Sequence, residues 1–229
     1  MLKRRTRPQS RIASLFALLI LALATSSCIH FDVTQRASIE TIMQAVHDYG
    51  RGHQVLPPPA ASTATSETEA GYRTDISLLL AEENFAELEK IAAQNRTERG
   101  LFVGGAWKNN AFFNAAGYPP HDGEITDSDY KFQIRRIEKW IAAYPQSSAT
   151  RITLARAYTD YADLARGDGT ADTVSDIQWD LYHERSALAT DALLAAARLQ
   201  ERDPHWYEAM QQVAFRQGWT NAHARELLD

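Results

Sequence analysis

The chain holds a single thiol, Cys28. A cysteine sulfur can attack an alkyl donor such as a diacylglyceryl group and form a thioether, which no other side chain can do. Thr25, Ser26 and Ser27 precede it, and Ser26 and Ser27 are small enough for a peptidase to cut beside, so Cys28 is the candidate modified residue. With no second cysteine, an intramolecular disulfide is excluded. The remaining reactive groups do not converge. Seven histidines (His30, His47, His53, His121, His183, His205, His223) form no His-x-His pair and no His-Glu-x-x-His helix, so metal-ligand spacing is missing. His183-Glu184 reads as a pair of surface neighbours. Asp122, Glu124, Asp127 and Asp129 offer oxygens in one loop, but without the spacing of a calcium loop; capping by Thr126, Asp127 or Ser128 explains most of them. Asp172, Asp176 and Asp180 recur every four residues and are expected to make a solvated acidic stripe on one helix. Glu82 and Glu83 are adjacent and cannot face each other as an acid–base pair. Arg166-Gly167-Asp168 reads as turn chemistry, and Asn95-Arg96-Thr97 carries no modification reading. A nucleophile elbow, a phosphate loop and a dinucleotide fingerprint are absent. The expectation is no catalytic residue, no metal ligand and no cofactor.

The element that positions Cys28 comes first. Lys3, Arg4, Arg5, Arg7 and Arg11 form a basic stretch without acids, and Ile12 to Ala24 are apolar apart from Ser14. A basic stretch, an apolar run and small residues make an export signal, and this run is shorter than the roughly 17 to 25 residues of a spanning helix. With the lone cysteine at its end, the segment resembles a bacterial lipoprotein signal, although Thr25 stands where such signals usually carry Leu. That resemblance implies removal of residues 1–27 and acylation of Cys28, palmitate included. Two or three chains then hold a protein stably on the membrane, where one alone binds marginally. Ile29 replaces the Asp that marks inner-membrane retention in Gram-negative lipoproteins, which favours the outer membrane, with the body facing the periplasm or the exterior.

The whole chain has net charge −5, and residues 1–27 carry five positive charges, so residues 28–229 carry −10. Phosphates repel such a body, which argues against nucleic-acid binding and against electrostatic docking on lipid. Residues 28–51 read as an anchored segment with a short helix between Phe31 and Gly50, striped by Ile39, Ile42, Met43 and Val46. Residues 52–71, with Pro57, Pro58, Pro59 and many Ser, Thr and Ala, read as a tether reaching about 25 Å.

Residues 72–229 read as α-helical nearly throughout, roughly 160 residues and one core. Ile76, Leu79 and Leu80, a bend at Glu82-Glu83-Asn84, then Phe85, Leu88 and Ile91 predict a helix pair; Gly104-Gly105 predicts a close backbone turn. A helix over 107–116 ends at Gly117. Tyr130, Ile134, Ile137, Ile141 and Tyr144 make the strongest helical stripe, closed by Pro145. A helix carrying Leu154, Ala155, Tyr158, Tyr161 and Ala162 follows. A long helix over 171–201 is lined by Ile177, Leu181, Leu188, Ala192, Ala195 and Leu199, and Asp203-Pro204 opens one more. Five tryptophans (Trp107, Trp140, Trp179, Trp206, Trp219) read as core filler, with a concave binding face as the other use.

Ile137, Trp140 and Pro145 followed by Leu154, Ala155 and Tyr158 fall at tetratricopeptide offsets, so the fold class is all-α, either a tetratricopeptide-like array of helical hairpins or an irregular helical bundle. In order along the chain come Phe85-Ala86-Glu87-Leu88 with Arg96, then Phe102-Val103-Gly104-Gly105, Trp140 to Ser147, Tyr158 to Gly169, Asp203-Pro204-His205-Trp206-Tyr207 and Gln217-Gly218-Trp219. Together these resemble domain-of-unknown-function family 4034, a bacterial family. The resemblance implies a helical repeat-like domain and a continuation past Asp229, so the C-terminus is read as truncated; it carries no activity over to this chain. The functional expectation is an envelope lipoprotein that binds a protein or peptide. The alternatives are an envelope hydrolase whose acids come from distant helices, recognisable by a deep pocket holding at least two carboxylates or a His–carboxylate pair of shifted pKa, and a purely structural component.

Overall fold

A computed structural model describes residues 37–51 and 68–225. Cys28, the signal over 1–27 and most of the tether lie outside the described residues. The chain divides into Met1–Gln35 and Arg36–Asp229, and only the second unit contains described residues. The described residues are mostly helical and contain no strand beyond one isolated bridge, Leu101 with Trp107. The protein is all-α. No described helix is long and apolar enough to cross a membrane.

Local chemistry sets most helix starts. Ser38 accepts from the Thr41 N–H at the start of α1 (Ile39–Gly50). Thr68 does the same for α2 (Glu69–Ala81), and Asn84 for α3 (Phe85–Glu98). α4 spans Lys108–Gly117. In α5 (Asp127–Ala143) the Asp129 carboxylate accepts from the Thr126 N–H at 2.8 Å. α6 is Ser148–Arg166, α7 Asp176–Ala197, α8 His205–Arg216 and α9 Asn221–Arg225. Each capping oxygen satisfies an N–H that has no partner inside its helix.

Helix α6 sits at the centre, packed by α4, α5, α7 and α8, while α2 lies against α4. The contact layer holds Ala149, Ile152, Ala155, Ala157 and Ala162. Gly117 of α4 meets α6 so closely that an added Cβ would stand 2.7 Å from Arg156 Cγ. Trp140, Trp206, Phe112 and Phe113 fill the wider gaps and are fully buried.

Five sequence expectations are corrected. First, α1 does not stand apart from the helical body. It packs on α7, and Tyr49 stacks on Trp206 at 4.2 Å between centroids. Residues 52–67 therefore connect two parts of one body and do not tether it. Second, α2 begins at Glu69, inside the expected tether, because Thr68 is an N-cap that composition alone does not reveal. Third, the long helix over 171–201 is a 3-10 turn (Ala171–Thr173) and then α7, since Ser175 and Gln178 form a capping box that restarts the chain. Asp172 and Asp176 thus do not share a helix. The buried face of α7 is also rotated from the expected stripe. Ile177 is 72% exposed, while Ser186, Ala189, Thr190, Leu193 and Ala196 are buried. Small residues prevail there because α7 packs closely against α6 and against α1 and α8 as well. Fourth, Trp107 is 44% exposed, and Trp179 and Trp219 are half-buried. Fifth, the glycines at 104–105 serve a tight turn: Gly105 has φ +84°, and Phe102 and Ala106 are bonded across it, but nothing approaches Gly104 closely.

Candidate functional site

The segment between α7 and α8 carries two acidic residues, Glu201 and Asp203, that tie distant helices together. Glu201 accepts from the Ser148 N–H at 2.7 Å and from its hydroxyl at 2.8 Å, so it caps α6 from outside. Its other oxygen pairs with Arg96 of α3. Asp203 is fully buried. Its Oδ1 accepts from the Asn109 side-chain amide at 3.0 Å and the His205 N–H at 2.9 Å, and Arg96 stands 3.6 Å from Oδ2. The Asp203 N–H donates to the Tyr49 hydroxyl at 2.7 Å. Burial pushes the Tyr49 phenol well above its ordinary range. Burial likewise raises the Glu89 carboxyl. This network is sealed; its role is to hold α1, α3, α4, α6 and α8 in register.

Beside it opens a cavity of about 260 Å³ lined by Asn95, Arg99, Trp107, Asn109, Asn110, Pro204, His205 and Glu208. Backbone chemistry builds it. The turn at Gly105 delivers Trp107 to the N-terminus of α4, which then presents Asn109 and Asn110 on consecutive positions. Arg99 ends α3 in the left-handed conformation, φ 51°. The Asp203 oxygen that holds the His205 N–H starts α8, and one turn later Glu208 comes beneath His205.

His205 is 4% exposed and stacks on Phe113 at 4.4 Å. Its Nδ1 lies 3.2 Å from Glu208 Oε2, and Asn110 donates to Oε1 at 3.1 Å. Asn114 donates to the Asn110 oxygen at 2.7 Å and so fixes which way that amide points. The hydrogen bond from His205 is the main reason the Glu208 carboxyl is held below its ordinary range; burial works against it, and the nearby charges of His205 and Arg156 add to the lowering. Glu208 is therefore ionised at neutral pH, with its side chain 41% exposed. The cavity can present a fixed carboxylate next to a half-exposed indole. A second, more open groove of about 370 Å³ runs between α2 and the α4–α5 loop, past Leu78, Tyr118, Pro119 and Pro120.

Of the residues singled out from sequence, Asn95, Trp107 and His205 line this cavity and the others fall elsewhere. Asp129 is taken up by the Thr126 cap. Asp127 is bound by Lys131 at 2.6 Å, Arg185 at 2.9 Å and the Tyr161 hydroxyl, contacts that lower its carboxyl. Among the described residues no group of three or more His, Cys, Asp or Glu gathers as a metal site would. His183 and Glu184 are exposed on α7, and Asn95 is buried with its amide on Tyr72. The His205–Glu208 pair was not foreseen. Its signal was present as His-x-x-Glu directly after Asp203-Pro204, where a predicted helix start places positions three apart on one face. Comparisons with family models, curated proteins and solved structures give no match for this chain.

Proposed function

We propose that this chain is a cell-envelope lipoprotein, anchored through acylated Cys28, whose helical body binds a protein or peptide at the Trp107–Glu208 cavity. The observation that carries the reading is the half-exposed Trp107 in a concave site that also holds an ionised carboxylate. Large aromatic side chains left accessible in pockets are the usual anchors of protein recognition. The basic, apolar and small-residue order of 1–27 supports the anchor, Ile29 supports the outer membrane where the host has one, and the charge of −10 over 28–229 supports a partner other than nucleic acid. The α5–α6 hairpin, with Trp140 and Ala155 buried at its junction, agrees with a tetratricopeptide-like unit and with the resemblance to domain-of-unknown-function family 4034.

Two measurements test this. Labelled palmitate should enter the wild type and not Cys28→Ala, which should also leave the membrane fraction. A partner enriched from envelope extracts by residues 28–229 should be lost with Trp107→Ala; retention by that variant removes the cavity from the reading. One observation favours a second reading, a hydrolase: His205 has the carboxylate-oriented geometry of a general base. It fits less well, because Nε2 is covered and no Ser, Thr or Cys lines the cavity. Hydrolysis of an ester or peptide panel that His205→Gln abolishes would establish it.

A further inference from the structure

We infer that the group recognised in this cavity is a cationic hydrogen-bond donor, a primary ammonium or guanidinium carried by the partner peptide, bound by the Glu208 carboxylate and the Trp107 ring. The inference rests on the reading of the cavity as a peptide-binding site and deepens it.

The argument is an inventory of donors and acceptors. The Asn109 amide nitrogen donates to Asp203, which can only accept, so the orientation of that side chain is fixed and its Oδ1 is the remaining atom. Asn109 is 9% exposed, and Oδ1 has no hydrogen-bond partner within the protein. His205 is oriented in the same manner. A carboxylate only accepts, so the Nδ1 that faces Glu208 carries a proton, and Nε2 has no partner within the protein. Each Glu208 oxygen receives one donor, from Asn110 or from His205, and keeps a second lone pair. The Asn109 and Asn110 amides thus aim N–H groups at carboxylates, and the acceptors left over are Asn109 Oδ1 and the Glu208 carboxylate. Asn109 Oδ1 is covered by the lining and makes the floor electronegative; Glu208, with its side chain 41% exposed, is the acceptor a ligand reaches first. The face of an indole attracts a cation by its quadrupole and is the best of the aromatic rings for this. A ligand that supplies donors and positive charge completes the set; a carboxylate or phosphate would meet Glu208 as a like charge and the Asn109 oxygen as one more acceptor. Arg99 also lines the cavity and acts against a cation. Its charge makes the inference refutable, since an anionic ligand would depend on it.

The test uses residues 28–229 labelled with nitrogen-15, and n-butylammonium, n-butanol and sodium butyrate as probes of one shape and three charges. Butylammonium should shift the Trp107 indole and Asn110 amide signals saturably, and the other two should not. Glu208→Gln should weaken butylammonium by roughly fivefold, the scale of one accessible charge pair. Glu124→Gln, an exposed acid elsewhere with the same charge change, should leave it unchanged, and Arg99→Gln should hold or raise the affinity. Equal shifts with butanol, any saturable shift with butyrate, loss of binding in Arg99→Gln, or equal weakening by Glu124→Gln overturns the proposal. Should an envelope partner be lost with Trp107→Ala yet kept by Glu208→Gln, the cavity binds a peptide but not through a cation, and the inference fails while the broader reading stands.

Discussion

Removing the Tyr49 side chain asks whether α1 belongs to the folded body. Tyr49 is fully buried, stacked on Trp206, edge-on to Tyr207 at 5.5 Å and covered by Arg202 at 4.6 Å. A buried aromatic side chain removes about 150 to 250 Å² from water, which at about 25 cal/mol per Å² bounds its contribution near 4 to 6 kcal/mol. Truncation to Ala with partial collapse of the site costs about 3 to 5 kcal/mol. Tyr49→Phe keeps the ring and deletes the hydroxyl. The buried Asp203 N–H then loses its acceptor, at a cost of about 1 to 3 kcal/mol. The two variants should therefore rank Ala well below Phe, with Phe below wild type. Urea unfolding of residues 28–229, followed by tryptophan fluorescence, gives both values. A second assay cuts the chain within residues 52–67: α1 should stay bound to the rest after cleavage. Loss of less than about 1 kcal/mol in Tyr49→Ala, or release of α1 from the cut protein, would falsify the view that this helix is structural and restore residues 52–67 as a tether.

Three further outcomes follow from the packing. Glu201→Ala strips the cap from α6 and leaves Arg96 half-buried without that partner, so urea unfolding should show a loss of about 2 to 4 kcal/mol. Gly117→Ala puts a methyl 2.7 Å from Arg156 Cγ; the overlap should cost about 1 to 3 kcal/mol, outweighing the helix preference for Ala, and a melting temperature at or above wild type would mean α4 and α6 are further apart than described. Burial raises the phenols of Tyr49, Tyr130 and Tyr161. Their native forms hold the proton where the unfolded chain releases it, so stability is whole below about pH 10 and should fall above it by about 1.4 kcal/mol per pH unit for each such phenol. An unfolding free energy that stays flat to pH 11 by urea titration (roughly one unit past a free phenol) contradicts the burial of all three.

The helices that sequence reading captured are those whose apolar period is unambiguous. α5 shows this best: Tyr130, Ile134 and Ile137 repeat on one face, and all three are buried. The reading slipped wherever packing is decided by small or polar residues. α7 turns Ala and Ser inward and leaves Ile177 in solvent, so a search for large apolar residues selected the wrong face. Composition placed α1 outside the core because the proline-rich stretch after it looks like a boundary; the contact that contradicts this, Tyr49 on Asp203, spans 154 positions and has no local signature. The cavity was invisible for the same reason. Trp107, Asn109, His205 and Glu208 come from two helices almost a hundred residues apart. Only the His205–Glu208 half had a local spacing that could be read.

Placing α1 in the body changes what an anchor at Cys28 would do. With residues 52–71 as the tether, the helical part would be free to explore a wide shell around its attachment. With α1 packed on α7, the chain available for reach is the stretch from Cys28 to Ala37, and a fully extended chain of that length spans at most about 30 Å. A protein so held meets partners near the membrane surface. The two proposals then constrain each other. A short reach favours a partner that is itself membrane-bound, and an acceptor-rich cavity beside Trp107 favours one that offers a lysine, an arginine or a free amino terminus. Lengthening the connection before Ala37 with a flexible insert should leave n-butylammonium binding unchanged, because the cavity is built from α3, α4 and α8. It should alter capture of an envelope partner in intact cells if proximity matters. An insert that changes neither leaves the cavity proposal intact and removes the argument from reach.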